Sequence, residues 1–232
     1  MSFLDQVIGY ESFDFKTYFS MVSGSDVLAS LNRETLTPFD LLNLLSEPAE
    51  DYLEEMAQKA RAITRQYFGN TISLYAPIYI SDFCSNHCTY CGFNSHTRFR
   101  RTKLTLEQIE AEAKAISATG IRHILMLTGE APDKTPLSYL KAAVGILKNH
   151  FSSIALEIFP MDESDYRELN AAGADSLTIY QETYDRTLYG QVHPKGRKAD
   201  YLYRLMTPER GASAGFRAVN IGALFCLGHP RQ

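Results

Sequence analysis

The chain has 232 residues, 45% of them apolar, and a formal net charge of -4, enough for one large domain with a sizeable core. The weakly acidic balance excludes a basic footprint for nucleic acid or for an anionic membrane surface. The start, Met1-Ser2-Phe3-Leu4-Asp5-Gln6, is neither basic nor apolar, and no run approaches the roughly 18 apolar residues of a membrane span, so a cytoplasmic chain is expected.

Residues 1 to about 35 are weakly patterned; Phe13, Phe15, Tyr18 and Phe19 predict a short segment that packs on the main body. Thr37-Pro38-Phe39-Asp40 reads as an N-cap, a Pro at the first helical position and an acid at the third, starting a helix through Leu45. A second helix starts at Ser46-Glu47-Pro48. In it Leu53, Met56, Ala60, Ile63 and Tyr67 recur at helical spacing as one apolar face, expected to be core, with an end near Gly69.

From Thr71 the pattern alternates between strands and helices. Strand one, about 72–81, leads into Cys84-Ser85-Asn86-His87-Cys88-Thr89-Tyr90-Cys91-Gly92-Phe93. Three thiols at C-x-x-x-C-x-x-C spacing in a loop converge on one centre, and thiolates are the soft ligands that iron-sulfur clusters and zinc prefer. Three ligands leave one metal position open to a small molecule, whereas closed zinc sites and fully protein-bound four-iron clusters take four. His87 as a fourth ligand would make the site zinc. Cys226, in the apolar run Ala223-Leu224-Phe225-Cys226-Leu227, reads as a buried thiol.

Thr105-Leu106-Glu107-Gln108 is a capping-box pattern, opening a helix whose buried face is Leu106, Ile109, Ala113 and Ile116. Strand two, His123–Leu127, ends at Thr128-Gly129-Glu130. Thr135-Pro136 caps a helix with Leu137, Leu140, Val144 and Leu147 inward. Strand three, Ile154–Phe159, is followed by a short helix with Tyr166 and Leu169 that ends at Gly173. Strand four, Ser176–Tyr180, ends at Gln181-Glu182. A long loop with His193-Pro194-Lys195-Gly196 leads to a helix over about 199–213 and to strand five, Ala218–Phe225. Repeated βα units imply a parallel sheet, and each unusual motif sits where a strand ends, the active-site end of a TIM-type barrel. The chain thus divides into an N-terminal helical extension over 1–70 and a partial (βα) barrel over 71–232.

The cysteine spacing, with Tyr90 before the last Cys and Gly92-Phe93 after it, resembles the radical S-adenosylmethionine enzymes. Arg65-Gln66-Tyr67-Phe68-Gly69-Asn70-Thr71, Thr128-Gly129-Glu130, Tyr180-Gln181-Glu182-Thr183-Tyr184 and Arg204-Leu205-Met206-Thr207-Pro208-Glu209-Arg210 are similar to the tyrosine lyases of thiamine biosynthesis. The likeness runs from about Leu36 to Leu227. The resemblance implies a four-iron, four-sulfur cluster on Cys84, Cys88 and Cys91, with S-adenosylmethionine on the fourth iron. It places Tyr90 against the adenine, and Thr128, Gly129 and Glu130 at the amino group of S-adenosylmethionine, where Gly lets the backbone come close. Glu182 stands at the ribose or methionine part, or else in a buried salt bridge. Arg204 and Arg210 are either carboxylate partners or surface and ion-pair residues.

The implied reaction cleaves the Cα–Cβ bond of L-tyrosine to 2-iminoacetate and p-cresol after a one-electron reductant protein of flavodoxin or ferredoxin type has reduced the cluster. The 2-iminoacetate passes to thiazole synthase. Alternatives are the related hydrogenase-maturation lyase, a non-catalytic remnant that binds metal or a partner chain, and a zinc-binding structural domain. Five strands are counted where a barrel has eight, so the reading expects a truncated barrel with open sheet edges, poorly soluble or prone to associate.

Overall fold

The computed structural model describes residues 2–228, in two compact units: residues 12–73, and residues 74–228 together with 2–11. The first residues, expected within the helical extension, belong with the sheet unit because their contacts are there. Phe3 stands edge-on to Tyr184 at 6.0 Å, and Glu11 pairs with Arg186 at 2.6 Å.

The helical unit begins with helices Phe15–Met21 and Gly24–Asn32, which the composition did not predict. They are nucleated by caps: Asp14 accepts from Thr17 N–H, and Ser23 and Asp26 form a capping box. The aromatic residues gather on one another, Phe13 lying 4.7 Å from Phe15, 5.6 Å from Tyr18 and 5.8 Å from Phe39. Helix Pro38–Leu44 starts as predicted, with Thr37 and Asp40 capping each other. Asp40 is buried, and its bonds from Thr37, then those from Ser30 and Arg33, hold its carboxyl well below the usual carboxylate range.

The helix expected from Ser46 to near Gly69 opens instead as a 3-10 helix, Glu47–Tyr52. It is α-helical over Leu53–Phe68 and ends at Gly69 as expected, but its apolar stripe is not core. Of the five stripe residues only Met56 is half-buried, and Tyr67 is 71% exposed. The helix is held near its N-terminal half, where Lys59 Nζ donates to the carbonyls of Leu31 and Arg33. From Ala60 to Phe68 every residue of the helix is exposed.

In the second unit, strands β1 (Tyr75–Ser81), β2 (His123–Thr128), β3 (Ser153–Glu157), β4 (Ser176–Thr178) and β5 (Ala218–Asn220) form one sheet in that order, each parallel to the last. Alternation puts Ile78, Ile80, Ile124, Met126, Ile154 and Leu156 on one face, fully covered by the crossover helices. Those helices, Leu106–Ala118, Leu137–Leu147 and Glu163–Ala172, answer with Ile109, Leu140, Val144, Leu147, Tyr166 and Leu169. Each such side chain contributes about 1.5–3 kcal/mol by leaving water. On the opposite face Tyr75 and Tyr79 stand exposed, so the sheet is a partial TIM-type barrel with its inner wall open.

The last strands are shorter than the sequence predicts. β4 offers three residues for pairing, so β5 stops at Asn220; beyond it, among the described residues, Ala223 alone forms a further bridge, to Glu182. Cys226 is therefore exposed, not buried, and stands in a turn at φ 71°. The helix expected over 199–213 is broken into a 3-10 turn and two helices, Tyr201–Leu205 and Thr207–Ser213. Pro208, which lacks an N–H and crowds the preceding turn, starts the second as its first-turn residue. Helix Leu137–Leu147 has Pro136 as its N-cap, while the Thr135 hydroxyl turns back to the Ala131 carbonyl at 3.1 Å.

Candidate active site

The loop after β1 is shaped mostly by polar side chains that close on its own backbone. The pairing of β1 with β2 slips between Tyr79 and Ser81, a bulge just ahead of Cys84. Asn94 Nδ2 donates to the carbonyls of Cys91 at 2.7 Å and Cys88 at 3.3 Å. Arg101 staples the far limb, donating to the carbonyls of Asp82 at 2.6 Å, Phe93 at 2.8 Å and Asn94 at 2.6 Å. Three backbone bonds fix the loop to its neighbours: Ser85 N–H to Glu130 O at 2.9 Å, His87 N–H to Lys195 O at 3.0 Å and Thr89 N–H to Val192 O at 3.0 Å. Cys88 is buried and Cys84 and Cys91 half-buried, none in a disulfide; burial pushes the Cys88 thiol up.

At the end of β2, a Cβ on Gly129 would stand 2.3 Å from the Phe83 carbonyl oxygen. The glycine thus serves the approach of the cysteine loop to β2, where the sequence suggested the approach of a ligand. Glu130 is buried, its carboxylate accepting from Asn86 Nδ2 at 2.7 Å and lying 3.5 Å from Arg197 Nε. The Thr128 hydroxyl is buried with no hydrogen-bond partner among the described residues.

Glu182, past the end of β4, has φ 74°, a left-handed conformation that costs a non-glycine residue about 1–3 kcal/mol. Its carboxylate pairs with Lys198 Nζ at 2.8 Å, both side chains nearly buried. Burial and then the Arg204 charge push the Lys198 ammonium down. Tyr90 OH donates to His193 Nε2 at 2.6 Å. The ring's other nitrogen lies 3.0 Å from the Tyr189 carbonyl, which only accepts, so the proton sits on Nδ1 and Nε2 is the acceptor. Burial, reinforced by Lys198, pushes His193 down to about 3 and keeps it neutral.

All eight site residues expected from the sequence line one cleft of about 250 Å³ at the C-terminal ends of the strands. Glu157, Lys198 and Arg204 line it too. Arg204 is buried and donates from Nε to the Tyr180 carbonyl at 2.8 Å. Arg210 does not reach the cleft; it is held by the carbonyls of Met161 and Tyr203 and by the Thr207 hydroxyl, and its guanidinium lies 4.1 Å over the Tyr203 ring. Burial, then Glu182, pushes the Glu157 carboxyl up.

His87 does not complete a zinc set. Its Nδ1 is 2.8 Å from His96 Nε2, and among the described residues no three His, Cys, Asp or Glu side chains are grouped to hold a single metal ion. A tetrahedral zinc would need its thiolates crowded around one atom, whereas a four-iron cluster spreads them over separate irons.

Residues 78–232 match the radical SAM superfamily. The chain belongs to this superfamily. Its cofactors are a four-iron, four-sulfur cluster and S-adenosylmethionine, and the donor set here fits them: three thiols in one cleft, and a buried hydroxyl at Thr128 without a protein partner among the described residues. The chain is 42% identical over 205 residues to the 2-iminoacetate synthases of Salmonella typhimurium and of Escherichia coli, covering 88% of this chain and 54% of each of those proteins. A crystal structure of HydG, a maturase of the FeFe hydrogenase, superposes with a TM-score of 0.89 at 28% identity, over 95% of this chain and 52% of that one. The chain therefore spans about half the length of the curated relatives it matches. No helix among the described residues is long and apolar enough to cross a membrane.

Sequence reasoning missed the residues that hold the motif side chains in place: Asn86 on Glu130, Lys198 on Glu182 and His193 on Tyr90. Asn86 sits inside the cysteine motif but is not a ligand type, and Lys198 and His193 lie in the long loop. For His193 the available signal was the run His193-Pro194-Lys195-Gly196, since Pro and Gly close together mark a turn of fixed shape; Asn86 and Lys198 had none.

Proposed function

We propose that the chain carries the cluster and cofactor half of a 2-iminoacetate synthase, acting on L-tyrosine to give 2-iminoacetate and p-cresol. The convergence of all eight motif residues on one cleft carries this reading, and the 42% identity to two such synthases supports this branch over the hydrogenase maturase at 28%.

In it Cys84, Cys88 and Cys91 hold three irons and leave the fourth to S-adenosylmethionine. When bound, the cluster and S-adenosylmethionine supply the one-electron cleavage that produces the radical oxidant of the superfamily. The chain's own groups bind and orient. Tyr90, its hydroxyl fixed by His193, presents a ring of settled orientation to the adenine. The Thr128 hydroxyl is the free group for the cofactor's amino end, since the Glu130 carboxylate is engaged by Asn86 and Arg197. Glu182, held by Lys198, faces the ribose. Arg204, with Nε on Tyr180 O and its side chain lining the cleft, is the cation available to the cofactor carboxylate. Glu157, which lines the same cleft, is the acid available to the amine of tyrosine. A flavodoxin- or ferredoxin-type protein supplies the electron, thiazole synthase takes the product, and the setting is the cytoplasm.

The test is anaerobic cluster reconstitution, then assay for 5'-deoxyadenosine and p-cresol with S-adenosylmethionine, a reductant and L-tyrosine. Iron near four per chain, with 5'-deoxyadenosine, supports the cofactor half, and p-cresol the tyrosine half. Failure to bind iron refutes the reading.

A further inference from the structure

Asn86 is buried, 2% exposed, and sits between the first two cysteines of the loop. Its side-chain amide and its backbone carbonyl are all engaged, and each bond goes to a different part of the cleft wall. Its side-chain Nδ2 donates to Glu130 Oε2 at 2.7 Å, past the end of β2. Its Oδ1 accepts the backbone N–H of Lys198 at 3.0 Å, the residue whose ammonium holds Glu182 past the end of β4. Its backbone carbonyl accepts from Ser95 N–H at 2.8 Å, closing the cysteine loop on itself.

Gly196 confirms how tightly this is built. It has φ 100°, and a Cβ there would lie 2.3 Å from Asn86 Oδ1 and 2.7 Å from Asn86 Cα. The loop over 195–198 therefore comes up against Asn86 at a point where only glycine fits. An amide is the side chain suited to this place because it offers one donor and one acceptor at fixed separation, facing a carboxylate on one side and an N–H on the other.

We infer that Asn86 is a positioning residue that sets the cysteine loop in register with Glu130 and with the Lys198–Glu182 pair, and through them fixes where S-adenosylmethionine sits relative to the cluster. This rests on the cofactor reading above. Asn86 acts through these neighbours rather than as a ligand of cluster or cofactor. A buried amide bonded on both sides is rigid, and removing it leaves a buried carboxylate and a buried N–H each short of a partner. Outer partners of this kind change ligand affinity by about 10- to 100-fold when lost.

The test uses the reconstituted chain with its cluster and four variants: Asn86→Ala, Asn86→Asp, Glu130→Gln, and Asn86→Asp with Glu130→Gln. Iron per chain is measured first, then the change in the electron paramagnetic resonance of the reduced cluster on titration with S-adenosylmethionine. Thermal unfolding of the same variants without iron gives a parallel measurement that does not depend on the cluster.

Asn86→Ala and Asn86→Asp are expected to weaken S-adenosylmethionine binding by about 10- to 100-fold. The Asn86→Asp change fails because the second oxygen of the new carboxylate faces the Glu130 carboxylate. Glu130→Gln reverses the direction of that hydrogen bond, the new amide donating to the carboxylate introduced opposite it, so the double variant is expected to return close to the affinity of Glu130→Gln alone. Wild-type affinity in Asn86→Ala, or an Asn86→Asp defect that is the same with Glu or Gln at position 130, overturns the inference. So does coupling between the two positions that appears in unfolding but not in the S-adenosylmethionine titration, since that is the mark of a merely structural role. A wild-type chain that takes up no iron defeats the cofactor reading itself, and this inference with it.

Discussion

Gly129→Ala puts one methyl group into the contact on which the cysteine loop closes. The added Cβ would meet Phe83 O at 2.3 Å, Phe83 C at 2.9 Å and Cys84 Cβ at 3.1 Å, all belonging to backbone or to the root of a side chain. To reach an ordinary van der Waals separation, the stretch carrying Cys84 has to retreat by on the order of 1 Å from β2, against the bonds from Ser85 N–H to Glu130 O and from Gly129 N–H to Ser81 O. Overpacking of this kind costs about 1–3 kcal/mol, which for a chain of this size lowers the unfolding midpoint by roughly 2–12 °C. The displaced thiol also lowers iron uptake. Gly145→Ala is the internal control, because nothing lies within 4 Å of its Cβ and its site is inside helix Leu137–Leu147. There alanine is the better helix former, by about 0.5–1 kcal/mol, so the midpoint is expected to rise. Thermal unfolding of the apo chain and iron content after anaerobic reconstitution read both effects. A Gly129→Ala chain with wild-type midpoint and wild-type iron would refute the packing argument.

Thr128→Val removes the buried hydroxyl that has no protein partner among the described residues, so the apo chain is expected to gain up to about 1 kcal/mol while S-adenosylmethionine binding weakens, measured by unfolding and by ligand titration side by side. Arg204→Met is expected to weaken S-adenosylmethionine about 10-fold or more in the same titration, whereas Arg210→Met, whose bonds go to Met161, Tyr203 and Thr207, is expected to lower the unfolding midpoint and leave affinity within about twofold. His193 has its folded pKa depressed from 6.5 to about 3. The unfolded chain therefore binds the extra proton first, and the stability due to neutral His193 is present above 6.5 and lost progressively as pH falls from there toward 3. His193→Asn is expected to flatten that acid-side slope in unfolding midpoints measured between about pH 7 and 4.5; an unchanged slope would show that another group sets it.

The barrel half of this molecule was legible because its signals are local and repeated. Alternating apolar residues at Ile78/Ile80, Ile124/Met126 and Ile154/Leu156 give strands, capping at Thr105 gives a helix, and cysteine spacing gives the site. Strand ends were less legible, since β5 stops where β4 runs out of partners and that depends on a neighbour rather than on Ala218–Phe225 itself. The stripe of helix Leu53–Phe68 misled for a related reason: periodicity says which residues share a face, and not whether anything covers it. Lys198 and Asn86 were invisible as site residues because their importance lies in hydrogen bonds between segments far apart in the chain, Lys198 N–H to Asn86 Oδ1 and Asn86 Nδ2 to Glu130. Polar residues in loops are usually solvated, and no pattern separates these two from the rest.

The strand order β1-β2-β3-β4-β5 follows the order of synthesis, so each new strand docks on one already laid down. Such a sheet grows by pairing strands that neighbour one another in the chain, each joined to the last by a crossover connection, so its core begins to form before the last strand is present. The cysteine loop is different. It belongs to the first strand, yet Val192, Lys195 and Lys198 supply three of the bonds that shape it. On a ribosome the thiols emerge well before their frame does, so iron delivered early meets a loop with no settled shape. The site is written at the first strand and framed 112 residues later, where Lys198 meets Asn86, so its thiols gain a settled geometry only after four of the five strands have been laid down.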